Sequence, residues 1–169
     1  MRSKLLSLLV APLLLSGGLV LASATSSSAQ TAASLDASHS RVSTSTASEV
    51  SFETALNQMR SQSGLGGLRA DRHLMLAAQA YAEDMARHGY HSHYGRDGST
   101  VVDRARAAGC AGRGYFAENI AWGQKTAQAT FAGWSASPGH RANMLGRNYG
   151  VYGLGWSGGM WVLIFADAC

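Results

Sequence analysis

The sequence predicts an α+β fold in which a central β-sheet lies between two layers of helices. Four segments carry apolar residues at helical spacing, and two strand-like segments flank a glycine-containing turn near the C-terminus. The second of these strands is apolar at every position up to Asp167. Such a strand needs cover on both of its faces, which predicts a three-layer α-β-α sandwich with a closing C-terminal hairpin.

The first and longest helices are predicted near the start of the folded part. The first lies within residues 51–64, and the second within residues 71–89. The first helix has an apolar face formed by Phe52, Ala55, Leu56 and Met59. The second has a longer stripe formed by Leu74, Ala77, Ala78, Tyr81, Ala82 and Met85. Asp71 is a suitable N-cap for the second helix, and Gly89 suits the position after its C-terminus.

Three shorter helical segments follow. Thr100, with Asp103 three residues later, is typical of a capping box and begins a helix through Ala108. Thr126 begins another helix, whose apolar face consists of Ala127, Phe131 and Trp134. Ser137-Pro138 is an N-cap and first-turn pair that opens a final helical turn.

The strands occupy the intervals between these helices. They are predicted over Tyr115–Trp122, Tyr149–Trp156 and Met160–Asp167. Residues 157–159 form the tight turn of the closing hairpin. The same region contains a literal G-x-S-x-G, but here a strand follows the serine instead of a helix, and no His lies beyond His140. The serine-hydrolase interpretation is therefore rejected, because the motif needs a strand-to-helix turn and a later His.

The first 29 residues have the layout of a secretory signal peptide. Arg2 and Lys4 precede an apolar run over residues 5–21, and small residues follow. Cleavage fits after Ala24 or after Ala29. A retained membrane anchor is the alternative, but no cationic flank follows the apolar run. We expect export to the extracellular space or the periplasm, with no membrane span in the mature protein.

The remaining chain divides into a spacer and one domain. Residues 30–49 are mostly Ser, Thr and Ala, too poor in apolar surface to offset the entropy of ordering, which predicts a flexible spacer. Residues 50–169 suffice for one domain with one core. Loss of Arg2 and Lys4 lowers the formal net charge from +4 to +2, and the remaining arginines form no basic run. We expect a monomer with no nucleic-acid partner.

The expected export determines how the two cysteines are interpreted. An oxidising compartment favours a disulfide between Cys110 and Cys169, which would attach the C-terminus to the domain. Closing a loop of about 60 residues would stabilise the fold by roughly 4 kcal/mol. Two independent thiols are the alternative, and neither cysteine lies in a nucleophile motif.

Three of the six His residues lie within HGYHSH, residues 88–93. His88 falls in the last helical turn, where a cation is favourable and a structural role is expected. His91 and His93 are two apart and point the same way in an extended segment. A metal site needs further ligands, for which His140 and Glu118 are candidates, whereas spacing alone also allows an ordinary surface or packing role.

Several motifs together resemble the bacterial branch of the CAP superfamily, which groups cysteine-rich secretory proteins, antigen 5 and pathogenesis-related class 1 proteins. They are LNQMRSQSGLGGLRADRHLMLAAQAYAEDMA, HSHYGRDGST, AENIAWG, GWSASPGHRANML and the glycine-rich hairpin, in that order. The resemblance covers residues 51–169. It implies an α-β-α sandwich with a central cleft, in agreement with the layer argument.

The resemblance also implies a site in that cleft, built from His93, Glu118 and His140. A second acidic residue of the family pattern is missing, because residues 134–136 offer only a hydroxyl. The three groups match a His₂Glu zinc set with one open position. Alternatively, Glu118 stays off the metal and acts as a general base, or the groups form a polar cluster without metal.

The leading functional hypothesis is a secreted binding module whose extracellular ligand is a lipid, a sterol, an envelope component or a protein. The alternative is a metal-dependent hydrolase or peptidase, with Zn²⁺ on His93 and His140 and with Glu118 as the general base. A structural envelope component is a third and weaker hypothesis. Asn119 is expected to hold neighbouring backbone and Arg141 to pair with a carboxylate or carbonyl. The four tryptophans are expected in the core and at its rim.

Overall fold

A computed structural model of the protein describes residues 51–169. The predicted signal peptide and spacer, residues 1–49, lie outside the described residues. The elements in chain order are α1 (residues 51–62), β1 (Arg69–Ala70), α2 (Arg72–His88), α3 (Val101–Ala107), β2 (Phe116–Trp122), α4 (Ala127–Ala136), α5 (Pro138–Met144), β3 (Val151–Ser157) and β4 (Met160–Ala166). Within residues 51–169, no helix has the length and apolarity to cross a membrane.

The four strands form one mixed sheet in the order β1-β3-β4-β2. β1 runs parallel to β3, and the other neighbours are antiparallel. β1 was not predicted, because a two-residue strand shows no alternation in the sequence. The closing hairpin is confirmed, but β3 extends to Ser157, which pairs with Met160. The turn is therefore Gly158-Gly159, and both residues have the positive φ that a tight two-residue turn of this kind requires.

The sheet is covered on both faces, which confirms the three-layer prediction. α1, α4 and α5 pack on one face, and α2 and α3 on the other. Successive side chains of β4 belong alternately to the hydrophobic cores on the two faces of the sheet. Its side chains on the first face are Trp161, Leu163 and Phe165, and those on the second are Val162, Ile164 and Ala166. This alternation between two cores explains why the strand is apolar at consecutive positions.

The longest helix lies unusually close to the sheet. All six residues of its predicted apolar stripe are buried. Opposite this stripe, β3 carries Gly153 and Gly155, where an added Cβ would lie 2.2 Å and 2.3 Å from α2 backbone atoms. Only glycine permits this approach, since no real Cβ tolerates such distances.

The caps and the disulfide follow the predictions. The Asp71 carboxylate accepts hydrogen bonds from the first-turn amides of α2, and Thr100 and Asp103 form a reciprocal capping box on α3. Cys110 and Cys169 are joined by a disulfide. Nearby, the Asp167 carboxylate accepts from the backbone amide of Arg113. The C-terminus is therefore attached to the segment between α3 and β2.

Candidate functional site

The site begins with a contact between a loop and the middle of a strand. His93 lies in the irregular segment after α2, and Glu118 lies within β2. The His93 Nδ1 and Glu118 Oε1 atoms are 2.8 Å apart. The Glu118 side chain is only 3% exposed, whereas that of His93 is 59% exposed. The buried carboxylate therefore holds an imidazole that remains open to solvent.

Arg104 of α3 holds the other oxygen of the same carboxylate. Its Nη2 donates to Glu118 Oε2 at 2.8 Å and to the His93 carbonyl at 3.2 Å. Its Nη1 donates to the Ser99 carbonyl, and its guanidinium carbon lies 3.5 Å from the centre of the Tyr81 ring. Both Glu118 oxygens are thus engaged, one by a permanent cation. Sequence reasoning missed Arg104, because its spacing within a short helix matches no motif.

The residue after Glu118 points to the other face of the sheet and anchors α5. The Asn119 side chain is fully buried, and its Nδ2 donates to the His140 carbonyl at 3.0 Å. Asn143 completes the link by donating to Asn119 Oδ1 and to the Glu118 carbonyl. The predicted backbone-holding role of Asn119 is confirmed. These bonds fix the position of the helix that carries the second imidazole.

His140 lies in the first turn of α5, with its Nδ1 3.0 Å from Ser137 Oγ. Ser137 is the N-cap of this helix, yet its side chain makes no capping hydrogen bond to the backbone. Burial lowers the pKa of His140, and the charge of His93 lowers it further. His140 is therefore neutral at pH 7.

The end of α5 is held by a buried arginine that sequence reasoning also missed. Arg60 of α1 is 2% exposed and donates to the carbonyls of Gly66, Met144 and Gly146. Burial lowers its pKa. The guanidinium thereby satisfies carbonyls at the C-terminal end of α5, which have no partner within the helix.

Not all predicted site residues come together as one cluster. His93 contacts Glu118, whereas His140 contacts Ser137. Within residues 51–169, no group of three or more His, Cys, Asp or Glu side chains is placed to hold a metal ion. Since Arg104 and His93 occupy both Glu118 oxygens, this carboxylate fits an orienting role better than ligation. The two imidazoles therefore have separate partners within the described residues.

The three His residues of HGYHSH have three different partners. His88 Nδ1 lies 2.9 Å from the Asp84 carboxylate one turn earlier in α2, in accordance with its expected structural role. The His91 ring stacks on that of Trp122, with centroids 3.8 Å apart. His93 alone reaches Glu118. Trp122 and Glu118 are four residues apart on β2 and share one face of the strand, so His91 and His93 do point towards the same surface.

The tryptophans lie where they were expected, whereas Arg141 does not make the expected contact. Trp134 and Trp161 are buried, while Trp122 and Trp156 are about half exposed, which confirms the expected division between core and rim. Arg141 is exposed, and its side chain makes no hydrogen bond or ion pair with another described residue. The expectation that Arg141 pairs with a carboxylate or carbonyl was therefore wrong for the described part of the chain.

The fold and these contacts define an α-β-α sandwich domain, and sequence comparison identifies the family. The profile of the cysteine-rich secretory protein family, CAP, matches residues 53–164, so the chain belongs to this family. The protein YkwD of Bacillus subtilis is 33% identical over 111 residues, which make up 64% of this chain and 43% of YkwD. The chain thus spans less than half the length of that relative.

Solved structures share the fold. An extracellular protein of Bacillus anthracis that contains an SCP domain superposes with a TM-score of 0.65 at 28% identity, covering 69% of this chain and 39% of that chain. An outer surface protein of Borrelia burgdorferi gives 0.63 at 17% identity, covering 72% and 92%. A cysteine-rich secretory protein of Staphylococcus aureus gives 0.57 at 19% identity, covering 70% and 38%. The last two likenesses concern the fold alone.

Proposed function

We propose that this CAP-domain protein is a secreted binding module that captures an extracellular ligand at the imidazoles of His93 and His140. The observation that carries the proposal is that each imidazole is held through Nδ1, one by Glu118 and the other by Ser137. Neither Nε2 atom has a hydrogen-bond partner among residues 51–169. Two oriented ring nitrogens are therefore available to a ligand.

This arrangement reduces the cost of binding. The Nδ1 contacts select the orientation of both rings before a ligand arrives, and Arg104 and Asn119 hold the two supporting segments. A preorganised pair of polar groups loses less conformational entropy on binding than a mobile pair. The lowered pKa of His140 keeps its ring uncharged at neutral pH, as a metal or a hydrogen-bond donor requires.

The chemistry of the pair also fits Zn²⁺. Histidines that bind metals usually have the second ring nitrogen held by a carboxylate or another polar group, as both rings do here. His93 and His140 would hold the ion, while Glu118 and Ser137 orient the rings. A bound Zn²⁺ would supply a Lewis acid for an oxygen or nitrogen of the ligand. Because only two protein ligands are involved, we expect weak binding.

Isothermal titration with Zn²⁺ at pH 7.5 tests this assignment. We expect one weak site in the unaltered protein and at least about tenfold weaker binding in His93→Ala and in His140→Ala. His88→Ala is the matched control, because His88 contacts only its own helix, and it should bind as the unaltered protein does. Equal affinity in all four proteins, or no binding by the unaltered protein, would contradict the zinc assignment.

Secretion rests on the signal-like N-terminus and on the description of the Bacillus anthracis relative as an extracellular protein. Mass spectrometry of the culture supernatant should detect the chain starting after Ala24 or Ala29. Detection only in the cell pellet, with residues 1–24 intact, would oppose export. The ligand is one of the four classes named from the resemblance: a lipid, a sterol, an envelope component or a protein.

The alternative, a metal-dependent hydrolase or peptidase, needs Glu118 as a general base. In the present contacts this carboxylate is 3% exposed and bound by both Arg104 and His93. Such a group is suited to orienting His93, and proton abstraction would require it to leave one partner. We therefore propose binding in preference to hydrolysis.

A further inference from the structure

A flat aromatic surface lies on the same side of the sheet as the imidazole of His93. Trp122 is the last residue of β2, and its indole ring stacks on the ring of His91, with centroids 3.8 Å apart and planes inclined by 19°. Trp122 shares one face of β2 with Glu118, whose carboxylate holds His93. We call the surface formed by His91, His93 and Trp122 the aromatic platform.

The indole of Trp122 is held in place and yet open to solvent. Met160 lies opposite it on β4 and packs against the core beneath α2, so Trp122 lies at the margin of this core. The ring of His91 covers one face of the indole, but 52% of Trp122 remains exposed, which must include the opposite face. A ligand that covers this ordered face removes apolar surface from water at little entropic cost.

The His93 ring adds a hydrogen-bond acceptor to the platform. Glu118 accepts a hydrogen bond from Nδ1, so the single proton of the uncharged ring lies on that atom and Nε2 keeps a lone pair. Nε2 has no partner among residues 51–169, and the His93 side chain is 59% exposed. A ligand that covers the platform must therefore supply a donor, since a covered acceptor without a partner is unfavourable.

The platform contains no permanently charged side chain. The carboxylate beneath it, that of Glu118, is 3% exposed and paired with Arg104. An ionic ligand would therefore find no exposed counter-charge on the platform itself. A hydrocarbon chain would cover the indole but leave Nε2 of His93 without a donor. The chemistry that satisfies both groups is an uncharged ring with an apolar face and hydroxyl donors at its edge.

We propose that the aromatic platform binds a neutral glycan built from pyranose rings with equatorial substituents. The axial C–H groups of one ring would pack on the open face of Trp122, and a hydroxyl would donate to Nε2 of His93. Glu118 and Trp122 are separated by about 13 Å along β2, so the platform is long enough for more than one sugar ring. This inference rests on the proposed function and specifies its ligand as an envelope component of the carbohydrate class.

Two substitutions remove the proposed contacts without altering the core. Trp122→Ala removes the stacking face and His93→Ala removes the acceptor, and both residues are more than half exposed, so the fold should be retained. Trp156→Ala is the matched control. Trp156 is 48% exposed, but it lies on the opposite face of the sheet, beside Trp161.

The test is a titration of ¹⁵N-labelled protein with cellotriose and with triacetylchitotriose, in buffer with a chelator so that no zinc takes part. Both are uncharged, soluble trisaccharides with equatorial substituents. At least one should give saturable amide shifts concentrated in residues 91–93 and 118–122. Binding should be about tenfold weaker in Trp122→Ala and about threefold weaker in His93→Ala, and unchanged in Trp156→Ala. Sorbitol, which has the hydroxyls but no ring face, should give no saturable shift.

No saturable shift with either trisaccharide would overturn the proposal, and so would shifts centred away from the platform. Equal weakening in Trp122→Ala and Trp156→Ala would refute a specific role of the platform. Unchanged affinity in His93→Ala would refute the hydrogen bond to Nε2. Zinc is absent from this titration, so a failure to bind glycan leaves the zinc assignment intact, and a failure to bind zinc leaves the glycan proposal intact.

Discussion

α2 and α5 lie on opposite faces of the same sheet and are held there by different forces. α2 is held by close packing: its apolar stripe meets β3 at two glycines that allow backbone contact. α5 is short, with Met144 as its buried residue, and is held by side chains that hydrogen-bond to backbone carbonyls. α2 therefore supports the fold. α5 presents His140, and its hydrogen bonds to buried side chains fix the position of a helix too short to be held by packing.

The largest expected effect comes from disrupting the close packing of α2 against β3. Gly155→Ala places a Cβ about 2.3 Å from the α2 backbone, so the helix must move away from the sheet. We expect a loss of roughly 3 kcal/mol in the free energy of unfolding, measured by urea denaturation. Gly66→Ala is the matched control, because nothing lies within 4 Å of its added Cβ. Equal stability of the two variants would refute the close contact.

The next largest effect comes from removing side-chain hydrogen bonds that hold α5. Arg60→Met keeps an apolar stem but removes the donors to Met144 and Gly146 at the end of α5. Removing a buried charge recovers some desolvation energy, but the carbonyls lose their partners, and we expect a net loss of about 2 kcal/mol. Amide exchange in α5 should accelerate more than in α2. The exposed Arg69→Met should change stability by less than about 0.5 kcal/mol.

A smaller effect is expected from replacing two helix N-caps, Thr126 of α4 and Ser137 of α5. Thr126 Oγ1 accepts a hydrogen bond from the Ala129 amide, whereas the Ser137 side chain caps no backbone amide and contacts His140. Thr126→Ala should therefore cost about 1 kcal/mol of stability. Ser137→Ala should cost less, and under the proposed zinc assignment it should weaken Zn²⁺ binding about tenfold, because His140 loses its orienting partner. A cost equal to that of Thr126→Ala would show that Ser137 acts as an ordinary cap.

The smallest effect concerns pH. The folded state lowers the pKa of His140 through burial and through the charge of His93, so the unfolded chain binds a proton more readily. The contribution of the neutral His140 to the free energy of unfolding is complete above the pKa of the unfolded chain, about 6.5. It decreases as the pH falls through the lower pKa of the folded state. Between pH 7.5 and 5, His140→Gln should therefore lose less stability than the unaltered protein. An equal loss in the two proteins would exclude His140 as the cause.

Local patterns predicted most of the fold. The α2 stripe, its caps, the capping box of α3 and the closing hairpin all depend on residues near one another in the chain, so their spacing is visible in the sequence. β1 was missed, because its two residues are a strand only through pairing with β3. The shift of β3 to Ser157 has the same origin, since register depends on the partner strand.

The site was predicted less completely. His93, Glu118 and His140 could be named through the family resemblance, and Asn119 through its position beside Glu118. Arg104, Arg60 and the Ser137 contact could not, because their partners are distant in sequence or are backbone carbonyls that no residue type identifies. The sequence offered Glu118 as a metal ligand or a general base. Its contacts favour a role in orienting His93, because both of its oxygens are engaged.

The sequence by itself determined the periodic elements and the layered architecture, which follow from short-range periodicity and from the apolar character of one strand. It favoured the pairing of Cys110 with Cys169 through the expected export, and the structure decided that pairing. Only the tertiary structure decided which groups share the Glu118 carboxylate, how α5 is held and which rings form the aromatic platform. Such contacts join segments far apart in the chain, and their geometry depends on how the two helix layers meet the sheet.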